Sequence, residues 1–244
     1  MQFYSLTDKG NVREINEDFC FSGQIGDYTV LILADGMGGH NAGETASKIA
    51  SERIFGFLGK KLSGNLLPGQ IMLLLAEALD GANKTIFSQS INQEQLRGMG
   101  TTIDVCVIIK NTAYIAHIGD SRVYKITPEG TISKLTKDHS LVEYMIDSGT
   151  ITREEAEHHP QKNIITRALG IAPDVDSDVF STTLSEEETL LMCSDGLSNM
   201  LSEEEIVTSV CSEKSLSDVA RELVELANKA GGTDNITVVL AKQD

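Results

Sequence analysis

The sequence predicts an α+β domain built in layers. Three observations carry that reading. Many apolar runs have the length of short strands, three stretches carry a helical stripe and stand apart from those runs, and the helical regions fall into two groups, 41–90 and 202–230. An amphipathic helix needs an apolar surface to cover, so two groups imply two opposite sheet faces.

Strands are expected near 2–6, 18–23 and 28–35. A helix follows over 44–58, with Ala46, Ile49, Ala50 and Phe57 on its stripe. A second, over 71–86, aligns Ile71, Leu74, Leu75, Ala78, Leu79, Ala82 and Ile86. Further strands are expected near 101–109, 112–118, 121–127 and 131–136. The short gaps after 109 and 118 predict two antiparallel hairpins, the second turning at Gly119-Asp120. The stretch 138–174 has little strand character and reads as an insertion over a site. Capping boxes start short helices there, Ser140 with Glu143 and Thr152 with Glu155. Strands near 175–182 and 188–194 come next. Ser202 with Glu205 opens another helix, and Val219, Ala220, Leu223, Leu226, Ala227 and Ala230 stripe a last one over 216–230. A strand near 234–241 completes the order. No repeat, low-complexity tract or proline-rich linker interrupts the chain, so 1–244 reads as one domain.

The chain carries 36 acids against 20 lysines and arginines, a formal net charge of −16. Nucleic acid and anionic membrane surfaces are repelled by such a field. A phosphorylated substrate is repelled too, so a phosphate site needs local positive charge from metal or arginine. The cysteines Cys20, Cys106, Cys193 and Cys211 form no CxxC pair, and Cys106 and Cys193 sit inside apolar runs. That usage fits a reducing, cytoplasmic setting. The first residues lack the basic and apolar regions of a signal peptide, and no apolar run approaches the roughly 20 residues of a membrane span.

The chemistry lies in the acids. The run Val30-Leu31-Ile32-Leu33-Ala34 ends in Asp35-Gly36, and Leu190-Leu191-Met192-Cys193-Ser194 ends in Asp195-Gly196. Asp234 opens the run Asn235-Ile236-Thr237-Val238-Val239-Leu240. A lone carboxylate at the end of a buried strand is costly to desolvate, whereas several become reasonable if they converge on divalent metal. Glu17-Asp18 and Asp120 extend the set. Oxygen donors without cysteine favour hard cations such as Mg²⁺ or Mn²⁺, and two such ions lower the pKa of a bound water. Any single Asp-Gly is more often an ordinary turn. Arg13, by spacing alone, reads as a surface residue, although a guanidinium can hold phosphate through paired hydrogen bonds.

Seven ordered segments carry a resemblance. Arg13-Glu14-Ile15-Asn16-Glu17-Asp18, Asp35-Gly36-Met37-Gly38-Gly39-His40, Gly98-Met99-Gly100-Thr101-Thr102, Gly119-Asp120-Ser121-Arg122, His159-Pro160-Gln161-Lys162-Asn163-Ile164-Ile165-Thr166-Arg167, Ser194-Asp195-Gly196-Leu197 and Gly232-Thr233-Asp234-Asn235 resemble the motifs of bacterial type 2C metal-dependent serine/threonine phosphatases. The resemblance implies an α-β-β-α sandwich of two antiparallel sheets, each covered by a helix pair. It implies that Asp35 bridges two Mn²⁺ or Mg²⁺ ions with the Gly36 carbonyl on one of them. Asp195 and Asp234 would hold one ion, Asp18 would support the other, Glu17 would stand behind them, and Asp120 would help bind a third, weaker ion. Arg13 would grip the substrate phosphate, and residues 138–170 would form a flap over the site. His40, rather than a histidine directly after Asp35-Gly36, is the candidate general acid, with a metal-bound water as the alternative. His139 is expected to pack near the site without being a ligand. The implied reaction is hydrolysis of phosphoserine and phosphothreonine in proteins, opposing a serine/threonine kinase, by a cytoplasmic monomer. The net charge favours basic or neutral phosphosegments.

Other readings are weaker. A phosphatase fold kept only for binding would be expected to have lost at least one acid, and the set is intact. A haloacid dehalogenase-type enzyme needs a second acid two residues after the first, where this chain has Met37. No twelve-residue EF-hand loop is present.

Overall fold

The structure, a computed structural model, describes residues 1–38 and 42–243. Three strands, β1 (Gln2–Asp8), β2 (Asp18–Ile25) and β3 (Tyr28–Met37), precede two long helices, α1 (Ala42–Lys61) and α2 (Pro68–Asn92). After a single 3₁₀ turn come β4 (Gly100–Thr101), β5 (Ile103–Ile109), β6 (Thr112–Ile118), β7 (Arg122–Ile126) and β8 (Ile132–Lys134). The segment after β8 carries α3 (Leu141–Asp147) and α4 (Arg153–Glu157). The remaining elements are β9 (Asp178–Thr183), β10 (Thr189–Cys193), α5 (Asp195–Ser198), α6 (Glu203–Val210), α7 (Leu216–Lys229) and β11 (Ile236–Lys242).

Among the described residues the strands form two antiparallel sheets. One has the order β1-β11-β10-β7-β8; the other has β2-β3-β5-β6-β9, with β4 added to β3. Alternate residues of the central strands serve different layers. On β3, Val30, Ile32 and Ala34 pack with Ala46 and Ile54 of α1 and Leu75 and Leu79 of α2, while Leu31 and Leu33 enter the core between the sheets. On β11, Val238 and Leu240 meet Ile206 of α6 and Leu223 of α7, while Val239 and Ala241 face the opposite sheet. The result is the helix–sheet–sheet–helix sandwich. It explains why these strands read as unbroken apolar runs: covered on both faces, they have no solvent side to make polar. Each buried Leu or Ile contributes about 1.5–3 kcal/mol of transfer free energy.

Local signals set the helix ends. Thr152 with Glu155 and Ser202 with Glu205 form reciprocal capping boxes. Ser140 accepts from the Glu143 N–H, but the Glu143 carboxylate turns instead to Arg153. The helix expected over 71–86 extends in both directions, starting at Pro68, whose fixed φ suits a first helical position.

One expectation is corrected. The 112–118 and 121–127 strands are not a hairpin: β6 pairs with β5 and β9, and β7 pairs with β10 and β8. Gly119-Asp120-Ser121 carries the chain from one sheet to the other. Gly119 lies at φ 122, where side chains are disfavoured, and a Cβ there would collide with Thr102. The β5–β6 hairpin is formed as expected.

Candidate metal centre

Strand ends deliver the acids to one rim. Asp18 opens β2 and faces Asp35 directly across the β2–β3 ladder. Asp195 follows β10, and Asp234 precedes the neighbouring β11. Asp120 lies in the link between the two sheets. Thr237 of β11 donates to Asp18 Oδ2 at 2.6 Å, so an acid of one sheet is held by a strand of the other.

The backbone around Asp35 is braced on several sides. Its N–H donates to Thr102 Oγ1 at 3.0 Å, and its carbonyl accepts from the Thr102 N–H at 2.8 Å and from Thr101 Oγ1 at 2.9 Å. Gly36 is required by close approach: a Cβ would strike the carbonyls of Gly43 and Glu17. At the other acid-bearing turn, a Cβ on Gly196 would enter the carbonyl of Asn235.

The electrostatics are those of an anionic cluster. Burial, then the charges of Asp18, Asp195, Asp120 and Asp234, push the Asp35 carboxyl well above its usual range. Burial lifts Asp18 to about 7, against hydrogen bonds from Thr237 and Ser194. Burial and then Asp195 lift Asp120 to about 7. Burial and then Asp234 lift Asp195 to about 6, with Asn199 Nδ2 donating to its Oδ2 at 3.1 Å. Glu17 is buried and also raised, chiefly by burial.

Arg13 is exposed and donates from Nη2 to Asp234 Oδ2 at 2.7 Å. The other Asp234 oxygen accepts from the Asn235 N–H at 2.8 Å. The Asn235 side chain accepts from the Glu17 N–H and donates to the carbonyls of Lys9 and Ile15. It pins the loop that carries Arg13 and Glu17 to the start of β11. Asn235, Thr237 and Thr102 were not singled out as supports by the sequence, because nothing in a string of residues marks a hydrogen bond to distant backbone. His40 lies outside the described residues.

A cavity of about 550 Å³ opens beside the acids, lined by Asp120 and Asp195 together with Glu143, Arg153 and Lys162. Residues of the 138–170 segment therefore line this cavity.

The donor set suits a hard divalent cation. It is made of oxygen alone, and Asp18 Oδ1 and Glu17 Oε1 are buried with no hydrogen-bond partner. A buried, unpartnered carboxylate oxygen is costly unless a cation satisfies it. Among the described residues no three side chains stand close enough to one point to hold an ion without adjustment.

The family model described as protein phosphatase 2C matches residues 10–241. The chain belongs to the protein phosphatase 2C family. Its relatives include the protein phosphatase PhpP of Streptococcus pneumoniae, 41% identical over 247 residues that span 100% of this chain and 98% of PhpP. The solved serine/threonine phosphatase of S. agalactiae superposes with a TM-score of 0.93 at 37% identity, covering 100% of this phosphatase and 99% of that chain. The catalytic domain of the serine threonine protein phosphatase PstP, solved in complex with two manganese ions, gives a TM-score of 0.84 at 33% identity, over 100% and 98% of the two chains. Protein phosphatases 2C are metal-dependent hydrolases, and this chain is an enzyme of that kind. No described helix of the phosphatase is long and apolar enough to cross a membrane.

Proposed function

We propose that this phosphatase hydrolyses phosphoserine and phosphothreonine in proteins at the rim formed by Asp18, Asp35, Asp120, Asp195 and Asp234, loaded with Mn²⁺ or Mg²⁺. Two ions would be held by Asp35, the Gly36 carbonyl, Asp195, Asp234 and Asp18, and a third, weaker one by Asp120 beside Asp195. When bound, such ions offset charge on the phosphoryl oxygens and lower the pKa of water near neutrality. The observation that carries the reading is the direct opposition of Asp18 and Asp35, two buried carboxyls that burial and neighbouring carboxylates push upward.

The chain's own residues do the rest. Arg13 binds the substrate phosphate, and its ion pair with Asp234 keeps the guanidinium at the mouth of the site before substrate arrives. Asn235 fixes the loop on which Arg13 and Glu17 ride. His40 donates the proton to the departing serine or threonine oxygen. The flap over 138–170 selects among phosphorylated segments, and the whole of 1–244 acts as one catalytic domain. A serine/threonine kinase and its substrates, in the cytoplasm, are the partners that this chemistry suits, met by a monomer.

Hydrolysis of a chromogenic aryl phosphate by the native chain and by Asp35→Asn, with a Mn²⁺ titration, tests the proposal. Native activity that needs Mn²⁺ and is lost in Asp35→Asn is expected. Full activity of the variant, or none of the native protein at any Mn²⁺ concentration, would remove the assignment.

A further inference from the structure

Outside the acid rim, Asp104 and His117 are paired across the β5–β6 ladder with both side chains fully buried. His117 Nδ1 lies 2.8 Å from Asp104 Oδ1. Its Nε2 lies 3.1 Å from the carbonyl of Lys137, at the root of the flap. A carbonyl can only accept, so Nε2 carries a proton. A second proton then lies between Nδ1 and the carboxylate, and the pair keeps it because the interior offers no other partner. Consistently, Asp104 raises the imidazole against the opposing effect of burial.

The His117 ring lies against that of His139, centroids 4.8 Å apart. His139 in turn grips the turn that carries Asp120. Its N–H donates to the Gly119 carbonyl at 2.7 Å, and its Nδ1 accepts from the Gly119 N–H at 3.1 Å. On the far side, the His139 carbonyl accepts from the Thr166 N–H at 2.7 Å, and Nε2 lies 3.4 Å from Asp178. Accepting at Nδ1 requires a neutral ring, and burial, followed by His117, pushes His139 down to about 4.

We propose that the buried Asp104–His117 pair is a positioning device, anchoring both roots of the flap and, through His139, the Gly119–Asp120 turn. It rests on the reading of Asp120 as a weak metal ligand only for its consequence on metal use; the anchoring itself does not. Polar groups that hold a metal-binding segment change affinity by roughly ten- to hundredfold when lost.

The test uses the double variant Asp104→Val/His117→Phe, which removes both polar partners and so leaves no buried charge unpaired, and His139→Ala as an independent second variant. Two readouts are taken: the rate of tryptic cleavage after Lys162 in metal-free protein, and the Mn²⁺ concentration giving half-maximal aryl phosphatase activity. Faster cleavage and a Mn²⁺ requirement raised roughly tenfold or more are expected in both variants, with kcat recovering at saturating Mn²⁺. Native cleavage rates in the variant that folds overturn the proposal, as does a native Mn²⁺ requirement where Asp120→Ala raises it. If Asp120→Ala itself leaves the requirement unchanged, the metal role of Asp120 fails instead, and cleavage alone judges the anchor.

Discussion

Asp18 and Asp35 stand directly opposite each other on adjacent antiparallel strands. Like charges in that position are destabilising, and burial makes these two more so. Asp35→Asn should therefore separate function from stability. In chelator the variant should melt higher than the native protein by about 2–4 °C, the equivalent of ~1 kcal/mol in a chain of this size, while losing aryl phosphatase activity. Calorimetry in EDTA checks the first effect; a lower melting temperature would contradict the electrostatic account.

The same carboxylates set a pH dependence. Asp18 and Asp120 titrate at about 7 and Asp195 at about 6 in the fold, against about 3.9 when unfolded. The folded state thus binds more protons, and its stability falls as pH rises through these values. His139 has the opposite sign, costing stability only below about 6.5. Above pH 6.5 His139 drops out, and His117, which Asp104 raises, acts in the same direction as the carboxylates: the metal-free protein should melt higher at 6.5 than at 8. Saturating Mn²⁺ should stabilise the fold by about 2.7 kcal/mol at one hundred times its Kd, raising the melting temperature and flattening the carboxylate part of the slope.

Arg13 and Asp234 form an exposed pair, so its loss should cost less than ~1 kcal/mol of stability. Arg13→Ala should instead raise KM for small phosphates about tenfold, the ~1.4 kcal/mol scale of one charge-assisted hydrogen bond. Steady-state kinetics at fixed Mn²⁺ checks this, and an unchanged KM would leave Arg13 a surface residue.

Asn235 is buried and satisfies three backbone groups. Asn235→Ala should destabilise the fold by roughly 2–4 kcal/mol, through lost bonds and orphaned buried partners. Urea denaturation measures it. Because the loop it holds carries Arg13, KM should rise with it.

Much of the architecture was legible in the sequence because the helices bury one stripe each. Ile71, Leu75, Ala78, Leu79, Ala82 and Ile86 are all core residues of α2. The acids were legible because Asp35 and Asp195 sit where apolar runs stop and Asp234 where one begins. The partition of strands between sheets was not. β6 and β7 are covered on both faces, so neither shows the alternation that would tell which neighbour it faces, and a two-residue gap then looks like a hairpin. The supports were also hidden: Thr237 reaches Asp18 across 219 positions of sequence, and no local pattern records such a bond.

The position of β11 carries one more consequence. Last in order among the strands, it lies inside its sheet between the edge strand β1 and β10, with Asp234 just before it. A ribosome-bound chain that has not yet extruded these residues has a gap where β1 should dock and an incomplete set of acids. The first strand of the chain and the last must therefore come together before this sheet can close.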